Sequence, residues 1–531
     1  MRGDRGHTAI LVDPDVSSVG IDQDALFEAL RGLGGCQTTL VPGLTRHPEL
    51  LTGAVKSSGA SSAVVVTAEF ERPPIAELRM WGEAGGLLPL GVRVVALDIL
   101  RAGRSRAERA TYAVRMVRAG VASLDGSGTA QAVRRSVGVS LTRRGLLRGR
   151  ATTWVPVVAV DPRACLGTPR CGRCVSACPA GALQPRDGIP GAPPTLDASR
   201  CEACSACLDV CPSGALSLDG HDPGPLAQQM RALLTGADGS TAPSLVISCR
   251  SAAEPLHHLG EREGLPGWLV LELPCLGGVG GAWHMAALAA GAPSVQVLPC
   301  KRCMDRGSLT KELSFTRRLL TALGDADAAR RVGVLPAAAP RLRRAVLAAD
   351  GLTALVQGTG TDLMPAPDAL ETPARAAAWA VGVLRAATAG AGQDQHLRPR
   401  VIEAQGSPLG VLRAAEGCTA CGICARDCPT RALTLSAGTG STDLVLDPSA
   451  CTGCGVCAEA CPEGVLDVVM GVDLDLLAHG CIPIARVTAA TCPDCGEIVP
   501  ALPTAAHLTL LPAGLATRCP SCRRAVLAAS V

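Results

Sequence analysis

The sequence predicts a multidomain chain that combines the α/β and α+β classes, and three patterns support this prediction. Its 531 residues are enough for three or four domains. Residues 1 to about 125 alternate strand-like apolar runs with amphipathic helical stretches, which is typical of an α/β domain with a parallel sheet. Sixteen of the 26 cysteines fall into four similar runs arranged as two pairs, and four more form two Cys-x-x-Cys pairs near the C-terminus.

The N-terminal region, residues 1–150, is predicted to be a parallel α/β domain followed by a basic linker. Its strand-like runs are TAILVD from Thr8, SSAVVVTA from Ser61 and VRVVALDIL from Val92. No Gly-x-Gly-x-x-Gly follows a strand and no Walker A loop is present, so neither dinucleotide binding nor ATP hydrolysis is predicted. Cys36 is interpreted as a buried structural thiol.

The four repeated cysteine runs each end in Cys-Pro. The first pair reads CLGTPRCGRCVSACP and CEACSACLDVCP, and the second pair reads CTACGICARDCP and CTGCGVCAEACP. A Cys-x-x-Cys-x-x-Cys loop places three thiolates around one face of a [4Fe-4S] cubane, and in two-cluster ferredoxins the fourth ligand comes from the other run. Short strand-like segments flank every run, which makes the pattern an internal repeat. The sequence therefore predicts two dicluster ferredoxin modules, at residues 151–222 and 411–470.

This exchange of fourth ligands assigns sixteen cysteines to four [4Fe-4S] clusters. The predicted sets are Cys165, Cys171, Cys174 with Cys211; Cys201, Cys204, Cys207 with Cys178; Cys418, Cys421, Cys424 with Cys461; and Cys451, Cys454, Cys457 with Cys428. The first run departs from the pattern, because five residues instead of two separate Cys165 from Cys171. A zinc or disulfide framework fits less well, since zinc needs fewer thiols per loop and disulfide scaffolds belong to short secreted chains.

Four further cysteines lie between the two modules, in a segment predicted to be a central α/β domain at residues 240–350. Cys249, Cys275 and Cys300 each follow an apolar strand-like run, and Cys303 lies three residues after Cys300. Cysteines at the ends of neighbouring strands can converge, and four thiolates suit a [2Fe-2S] cluster. A zinc ion and plain reduced cysteines are the alternatives. Residues 351–410 are predicted to be a linker with one helix, which tethers the second module.

The C-terminal region, residues 478–531, contains the two Cys-x-x-Cys pairs. Cys492 and Cys495 form the first pair, and Cys519 and Cys522 form the second. This is the pattern of a zinc ribbon, and four thiolates that leave no open position predict a structural zinc. A rubredoxin-like iron is the alternative. Cys481 is interpreted as a reduced thiol.

Two segments resemble parts of known redox complexes. Residues 68–121, which begin AEFERPPIAELRMWGEAGG, resemble the N-terminal domain of the A subunit of heterodisulfide reductase. Residues 243–350, including GAPSVQVLPCKRC, are similar to the delta subunit of methyl-viologen-reducing hydrogenase. The chain lacks that A subunit's cysteine near residues 67–70 and its glycine-rich FAD-binding region. The resemblance therefore does not decide whether this chain binds a flavin or the family's additional cluster. The delta family usually has two cysteines in its first motif, where this chain has Cys249 alone.

Composition narrows the function further. The net charge of +3 comes from interspersed acids and bases, so no nucleic-acid partner is predicted. No window offers the 18 uninterrupted apolar residues of a membrane span. No secretory signal is visible at the N-terminus, and the thiol-rich loops favour a reducing cytoplasm. No hydrolytic or group-transfer motif is present, so no catalytic residue is predicted.

Together these patterns predict an iron–sulfur electron-transfer subunit of a cytoplasmic oxidoreductase complex. The resemblances imply that it relays electrons between a partner hydrogenase or formate dehydrogenase and a heterodisulfide reductase-like flavoprotein or a ferredoxin acceptor. The predicted cofactors are four [4Fe-4S] clusters, one [2Fe-2S] cluster and one structural zinc. The alternative function is a redox or oxygen sensor whose zinc ribbon is an interaction domain.

Overall fold

The structure is a computed structural model, and its elements are those of a multidomain α/β protein. It describes residues 7–69, 75–124, 131–137, 151–168, 170–186, 189, 191–235, 241–277, 279–305, 307–357, 365, 370, 372–389, 400–438, 441–488, 490–499, 515 and 518–529. Among the helices of these residues, none combines the length and apolar character needed to span a bilayer.

The N-terminal domain is built on a four-stranded sheet in the order β2-β1-β3-β4, and all its strands are parallel. The strands are β1 (Thr8–Val12), β2 (Cys36–Leu40), β3 (Ser62–Thr67) and β4 (Val92–Ala96). The helices are α1 (Gln23–Arg31), α2 (Leu50–Ser58), α3 (Ile75–Gly85) and α4 (Arg106–Ala122), with 3-10 turns at Pro14–Val19 and Asp98–Leu100. Every residue of β3 is buried, because helices cover both faces of the sheet. The antiparallel strands β5 (Ala132–Val137) and β6 (Ala151–Pro156) follow.

The first cysteine-rich module uses short elements twice. They are β7 (Ala159–Val160), α5 (Arg173–Ala177), β8 (Leu183–Gln184), β9 (Thr195–Leu196), α6 (Ala206–Asp209) and β10 (Leu216–Ser217). The outer strands β7 and β10 pair antiparallel, and so do the inner strands β8 and β9. The module has its own small core, to which several of its cysteines contribute.

The central domain contains a second parallel sheet, in the order β12-β11-β13-β14. Helix α7 (Pro223–Leu234) leads into β11 (Ser244–Cys249), α8 (Glu254–Arg262), β12 (Trp268–Leu273), α9 (Gly281–Ala289), β13 (Val295–Leu298), α10 (Lys301–Asp305), α11 (Ser308–Ala322), α12 (Ala328–Arg331), β14 (Val332–Val334) and α13 (Ala339–Ala348). A 3-10 turn at Arg250–Ala252 follows β11.

Helix α14 (Pro373–Thr388) lies in the segment that the sequence predicts to be a linker with a helix. It packs along α9, and its Ala374, Ala377, Val381 and Leu384 are fully buried. These side chains belong to the same core as the central sheet and one face of the N-terminal sheet. The helix is therefore an integral part of the central domain's packing.

The second cysteine-rich module repeats the plan of the first with longer strands. Its elements are β15 (Val401–Glu403), β16 (Gly410–Ala414), α15 (Ile423–Asp427), β17 (Leu433–Gly438), β18 (Ser441–Leu446), α16 (Val456–Glu459), β19 (Leu466–Asp473), α17 (Leu474–His479) and β20 (Ile482–Thr488). Strands β16 and β19 pair antiparallel, as do β17 and β18, while β15 and β20 extend the two sheets. The C-terminal region contributes β21 (Ala490–Thr491), β22 (Ile498–Val499) and α18 (Pro520–Ala529).

The N-terminal and central domains are joined by buried polar contacts as well as by their shared core. The imidazole of His257 on α8 lies 2.6 Å from Asp98 and 2.6 Å from Glu272, one carboxylate from each domain. Arg104 donates hydrogen bonds to the carbonyl oxygens of Leu265 and Trp268 across the same interface. These buried contacts fix the relative orientation of the two sheets.

Candidate iron-sulfur and zinc sites

The four Cys-Pro runs adopt the same loop. In each run the residue after the second cysteine has a left-handed backbone and begins the short helix that carries the third cysteine. These residues are Gly172, Ser205, Gly422 and Gly455, with φ of 59°, 57°, 81° and 77°. Glycine adopts a positive φ at the lowest energetic cost, which agrees with its presence at three of these four positions. Ser205 is the exception. The left-handed residue turns the loop so that its cysteines face one point.

The thiols gather into the quartets that the exchange of fourth ligands predicts for the first module. Burial raises the pKa of Cys174 to about 11, and the neighbouring Cys211, Cys165 and Cys171 raise it further. Burial likewise raises the pKa of Cys207 to about 12, with Cys204, Cys201, Cys174 and Cys178 beside it. Cys165 lies near Cys211 and Cys171; burial raises its pKa, and the charges of these two cysteines raise it further.

The second module shows the same grouping. Burial raises the pKa of Cys424 to about 11, followed by the effects of Cys418, Cys421 and Cys461. Burial also raises the pKa of Cys451 to about 11, and Cys454 and Cys428 add to it. Cys457 lies with Cys451, Cys454 and Cys428. Four crowded thiolates repel one another, so each quartet is suited to a positively charged iron core that takes up their charge.

Backbone and hydroxyl groups surround some of these sulfurs. The N–H of Gly167 donates to the Sγ of Cys165 over 3.4 Å, and the N–H of Ala182 donates to the Sγ of Cys178 over 3.2 Å. The hydroxyl of Ser213 lies 3.7 Å from the Sγ of Cys211. Hydrogen bonds to ligand sulfur are one of the means by which a protein sets the potential of a cluster.

The four central cysteines converge where three parallel strands end. Cys249 is the last residue of β11, Cys275 and Cys300 follow β12 and β13, and Cys303 lies on α10. The Sγ of Cys303 is 3.5 Å from those of Cys249 and Cys275 and 3.7 Å from that of Cys300. The pKa of Cys275 is lowered because the Cys249 and Cys303 thiols donate to its sulfur. Such a compact group of thiols can hold a [2Fe-2S] cluster or one tetrahedral ion.

The central cysteines touch the first module directly, which sequence reasoning missed. The Sγ of Cys275 lies 3.3 Å from the carbonyl oxygen of Cys204. The Nε2 of buried His221, just after β10, donates to the carbonyl of Cys275 over 2.7 Å. Arg302 forms an ion pair with Glu202 at 2.9 Å. Apart from His221, each of these residues is a cysteine or is adjacent to one in sequence. The loop of the central site and the loop of the Cys201 run are therefore in contact.

The two cysteine-rich modules also touch each other. Arg170, in the long gap of the first run, forms an ion pair at 2.9 Å with Asp427, the residue before Cys428. Arg173 donates to the carbonyl oxygen of Cys454. Arg426 lowers the pKa of Asp427, and Arg170 lowers it further, so this carboxylate is ionised. Nothing in the spacing of the cysteines signals this contact, because it joins segments more than 250 residues apart.

The C-terminal cysteines form a compact tetrad. The sulfurs of Cys492, Cys495, Cys519 and Cys522 all lie within 4.8 Å of one another. Backbone N–H groups of Cys519, Asp494 and Cys495 donate to Cys492 and lower its pKa to about 6, which favours the thiolate. The tetrad suits a closed tetrahedral ion site. Cys36 and Cys481 do not belong to any group of metal-ligating side chains found among the described residues.

Comparison with known proteins agrees with the two modules. The family described as the 4Fe-4S dicluster domain matches residues 164–215 and 417–465. No curated protein matches the chain. The prediction of two dicluster ferredoxin modules is therefore confirmed, and the matched residues contain all sixteen cysteines of the repeated runs. The chain is a multidomain α/β protein with two ferredoxin-like dicluster domains, and these indicate an iron–sulfur electron-transfer protein.

Proposed function

We propose that the protein is an electron-transfer subunit of a larger oxidoreductase complex and that its cluster sites form one linear relay. The relay runs from the central [2Fe-2S] site through the two clusters of the first module to the two clusters of the second. The observation that carries this proposal is the contact between the cluster loops at both junctions. Four [4Fe-4S] clusters, one [2Fe-2S] cluster and one zinc are the proposed cofactors.

The first step of the relay joins the central site to the Cys201, Cys204, Cys207 and Cys178 cluster. The 3.3 Å separation of the Cys275 sulfur from the Cys204 carbonyl brings a ligand of one site against the loop of the other. The Arg302–Glu202 ion pair and the His221 hydrogen bond hold the two loops together. Burial of Cys249, Cys275 and Cys303 keeps water away from this junction.

The second step stays within the first module. Helix α5 carries Cys174, a ligand of the Cys165 cluster, and ends beside Cys178, a ligand of the Cys201 cluster. Helices α5 and α6 also pack against each other. One short helix thus connects both clusters, and the same holds for α15 in the second module, with Cys424 and Cys428.

The third step crosses from one module to the other. Arg170 and Arg173 belong to the loop of the Cys165 cluster, and their partners Asp427 and Cys454 belong to the Cys428, Cys451, Cys454 and Cys457 cluster. The relay then ends at the Cys418, Cys421, Cys424 and Cys461 cluster. Cys421 is exposed, and so is the apolar Leu435 beside Gly422. An exposed end suits exchange with a redox partner.

The partners follow from the resemblances of the sequence. A hydrogenase or formate dehydrogenase at one end and a heterodisulfide reductase-like flavoprotein or ferredoxin at the other are the proposed redox partners. The zinc ribbon is proposed to be structural, because four thiolates leave no place for water on the ion. A reducing cytoplasm is the proposed location, since it keeps these thiols available for metal.

The first experiment measures iron, acid-labile sulfide and zinc per chain after anaerobic purification, with EPR of the reduced protein. We expect about 18 iron and about one zinc per chain, with a [2Fe-2S] signal beside those of the cubanes. About 16 iron without that signal would show that the central site holds no cluster, and the relay could not begin there. About two zinc with 16 iron would make the central site a zinc site.

The order of the relay is tested with Cys275→Ala and Cys454→Ala, each compared with Cys481→Ala as the control. When electrons enter from a partner at the central site, Cys275→Ala should block reduction of all four cubanes. Cys454→Ala should leave the first module reducible and block the Cys418 cluster. Equal reduction of the Cys418 cluster in all variants would contradict the linear order. A sensor, in contrast, would lose its clusters in air and change an interaction instead of cycling repeatedly.

A further inference from the structure

A cavity of about 460 Å³ lies between the N-terminal and central domains. Strands β4 and β12 form its walls. Among the described residues, each of them is an edge strand of its own sheet. Helices α4 and α7 contribute further lining residues. The volume is within the range of small-molecule sites, which is roughly 300–1,000 Å³.

Positive charge is in excess around this cavity. Its lining includes Arg79, Arg93 and Arg250 and two acidic residues, Asp219 and Glu272. Asp219 is already paired with Arg93 at 2.7 Å, and Glu272 is 2.6 Å from His257. Arg79 and Arg250 have no ion pair within 4 Å among the described residues. Burial lowers the pKa of Arg79 to about 10, and the nearby Arg93 and Arg250 lower it further, although Asp219 opposes them.

Two buried donors in the lining lack a hydrogen-bond partner among the described residues. They are the Nε of Arg79 and the Nε2 of Gln229. Gln229 is only 4 % exposed, so its amide cannot rely on bulk water. Leaving a buried donor unpaired costs about 1–3 kcal/mol, and native proteins seldom do so without a reason. An acceptor-rich ligand in the cavity would satisfy both donors.

Apolar side chains form much of the remaining lining. Val94, Met116 and Leu271 face the cavity together with the backbones of the two edge strands. Edge strands present N–H and C=O groups that a heterocycle can pair with. We propose that this cavity binds a small organic phosphate of mononucleotide size, with its phosphate between Arg79 and Arg250 and its ring between the two strands.

The position of the cavity links it to the central cysteines. Arg250 directly follows Cys249, and Pro274, which also lines the cavity, directly precedes Cys275. A bound dianion beside these thiolates would lower the reduction potential of a cluster held there, because added negative charge disfavours a further electron. This consequence rests on the proposed function, whereas the binding itself does not.

The test is anaerobic equilibrium dialysis of the intact purified protein with FMN, AMP and inorganic phosphate as separate probes. We expect FMN or AMP to bind at one per chain and inorganic phosphate to bind at least tenfold more weakly. Arg250→Gln and Gln229→Leu should each weaken the binding of the organic phosphate by tenfold or more. Arg344→Gln, which removes an exposed arginine outside the cavity, should leave it unchanged.

Three results would overturn the proposal. The first is that neither FMN nor AMP binds. The second is that inorganic phosphate binds as tightly as they do. The third is that Arg250→Gln and Gln229→Leu bind the organic phosphate as well as the unaltered protein. Iron content and circular dichroism of the same samples verify that each variant is folded and loaded. The iron value also separates the two proposals, because a chain short of iron with intact ligand binding would count against the relay alone.

Discussion

The buried His257 bridge gives the most quantitative prediction. Burial alone would lower the pKa of His257, but Glu272 and Asp98 oppose it and raise the pKa from 6.5 to about 9. This difference corresponds to about 3 kcal/mol. Because the folded pKa is the higher one, the stabilisation is complete below pH 6.5 and disappears as the pH rises through 9. Burial alone would raise the pKa of Glu272, but His257 and, to a smaller extent, Arg250 lower it below its usual value.

We therefore expect His257→Gln to loosen the interface between the N-terminal and central domains in a pH-dependent way. Hydrogen exchange followed by mass spectrometry reports the local opening of α8 and β12, and a loss of about 3 kcal/mol is about a 100-fold loss of protection. At pH 7 the variant should exchange close to this much faster than the unaltered protein. At pH 9.5 the two should differ by only a few fold.

The neighbouring His258 provides the control, because its side chain is exposed on the same helix. His258→Gln should exchange like the unaltered protein at every pH. The reasoning is refuted if the gap between His257→Gln and the unaltered protein is the same at pH 7 and pH 9.5. An equal loss of protection in His258→Gln would also refute it.

Three further predictions concern the metal sites and the junction between the modules. Arg170→Gln should slow electron transfer between the modules by about fivefold, because an ion pair with one half-exposed partner is worth about 1 kcal/mol. Stopped-flow reduction measures this rate, and rising salt should slow the unaltered protein toward the rate of the variant. Arg163→Gln, which removes an exposed arginine outside the contact, should leave the rate unchanged. Cys165→Ala should lower the iron content by at least about four per chain, whereas Cys481→Ala should retain it all. Cys522→Ala should lose the zinc and keep the iron, as measured by elemental analysis. Loss of about one iron per chain with the zinc content unchanged would show that the ribbon holds iron.

The repeated modules could be predicted because their chemistry is local. Each Cys-x-x-Cys-x-x-Cys run brings its thiols together within one loop, so spacing alone identifies it. The convergence of Cys249, Cys275 and Cys300 was also predictable, since the ends of neighbouring parallel strands lie at one edge of a sheet.

Other features could not be predicted, because they join residues far apart in sequence. The Arg170–Asp427 and His257–Asp98 contacts depend on how whole domains pack, which no local pattern records. The helix within residues 351–410 was predicted, but its place in the core of the central domain was not. Its alanine-rich composition is typical of a linker, yet its small side chains allow close packing against the equally alanine-rich α9. The cavity between β4 and β12 likewise exists only once both sheets are placed.

The exchange of fourth ligands within a module has a consequence for how the protein is assembled. The helix that presents Cys174 to one cluster also positions Cys178 for the other, so inserting the first cluster orders part of the second site. Cluster insertion should accordingly be cooperative, so that a module with one cluster takes up its second more readily than an empty module takes up its first. Under iron limitation, the protein would then contain more complete and empty modules than half-loaded ones.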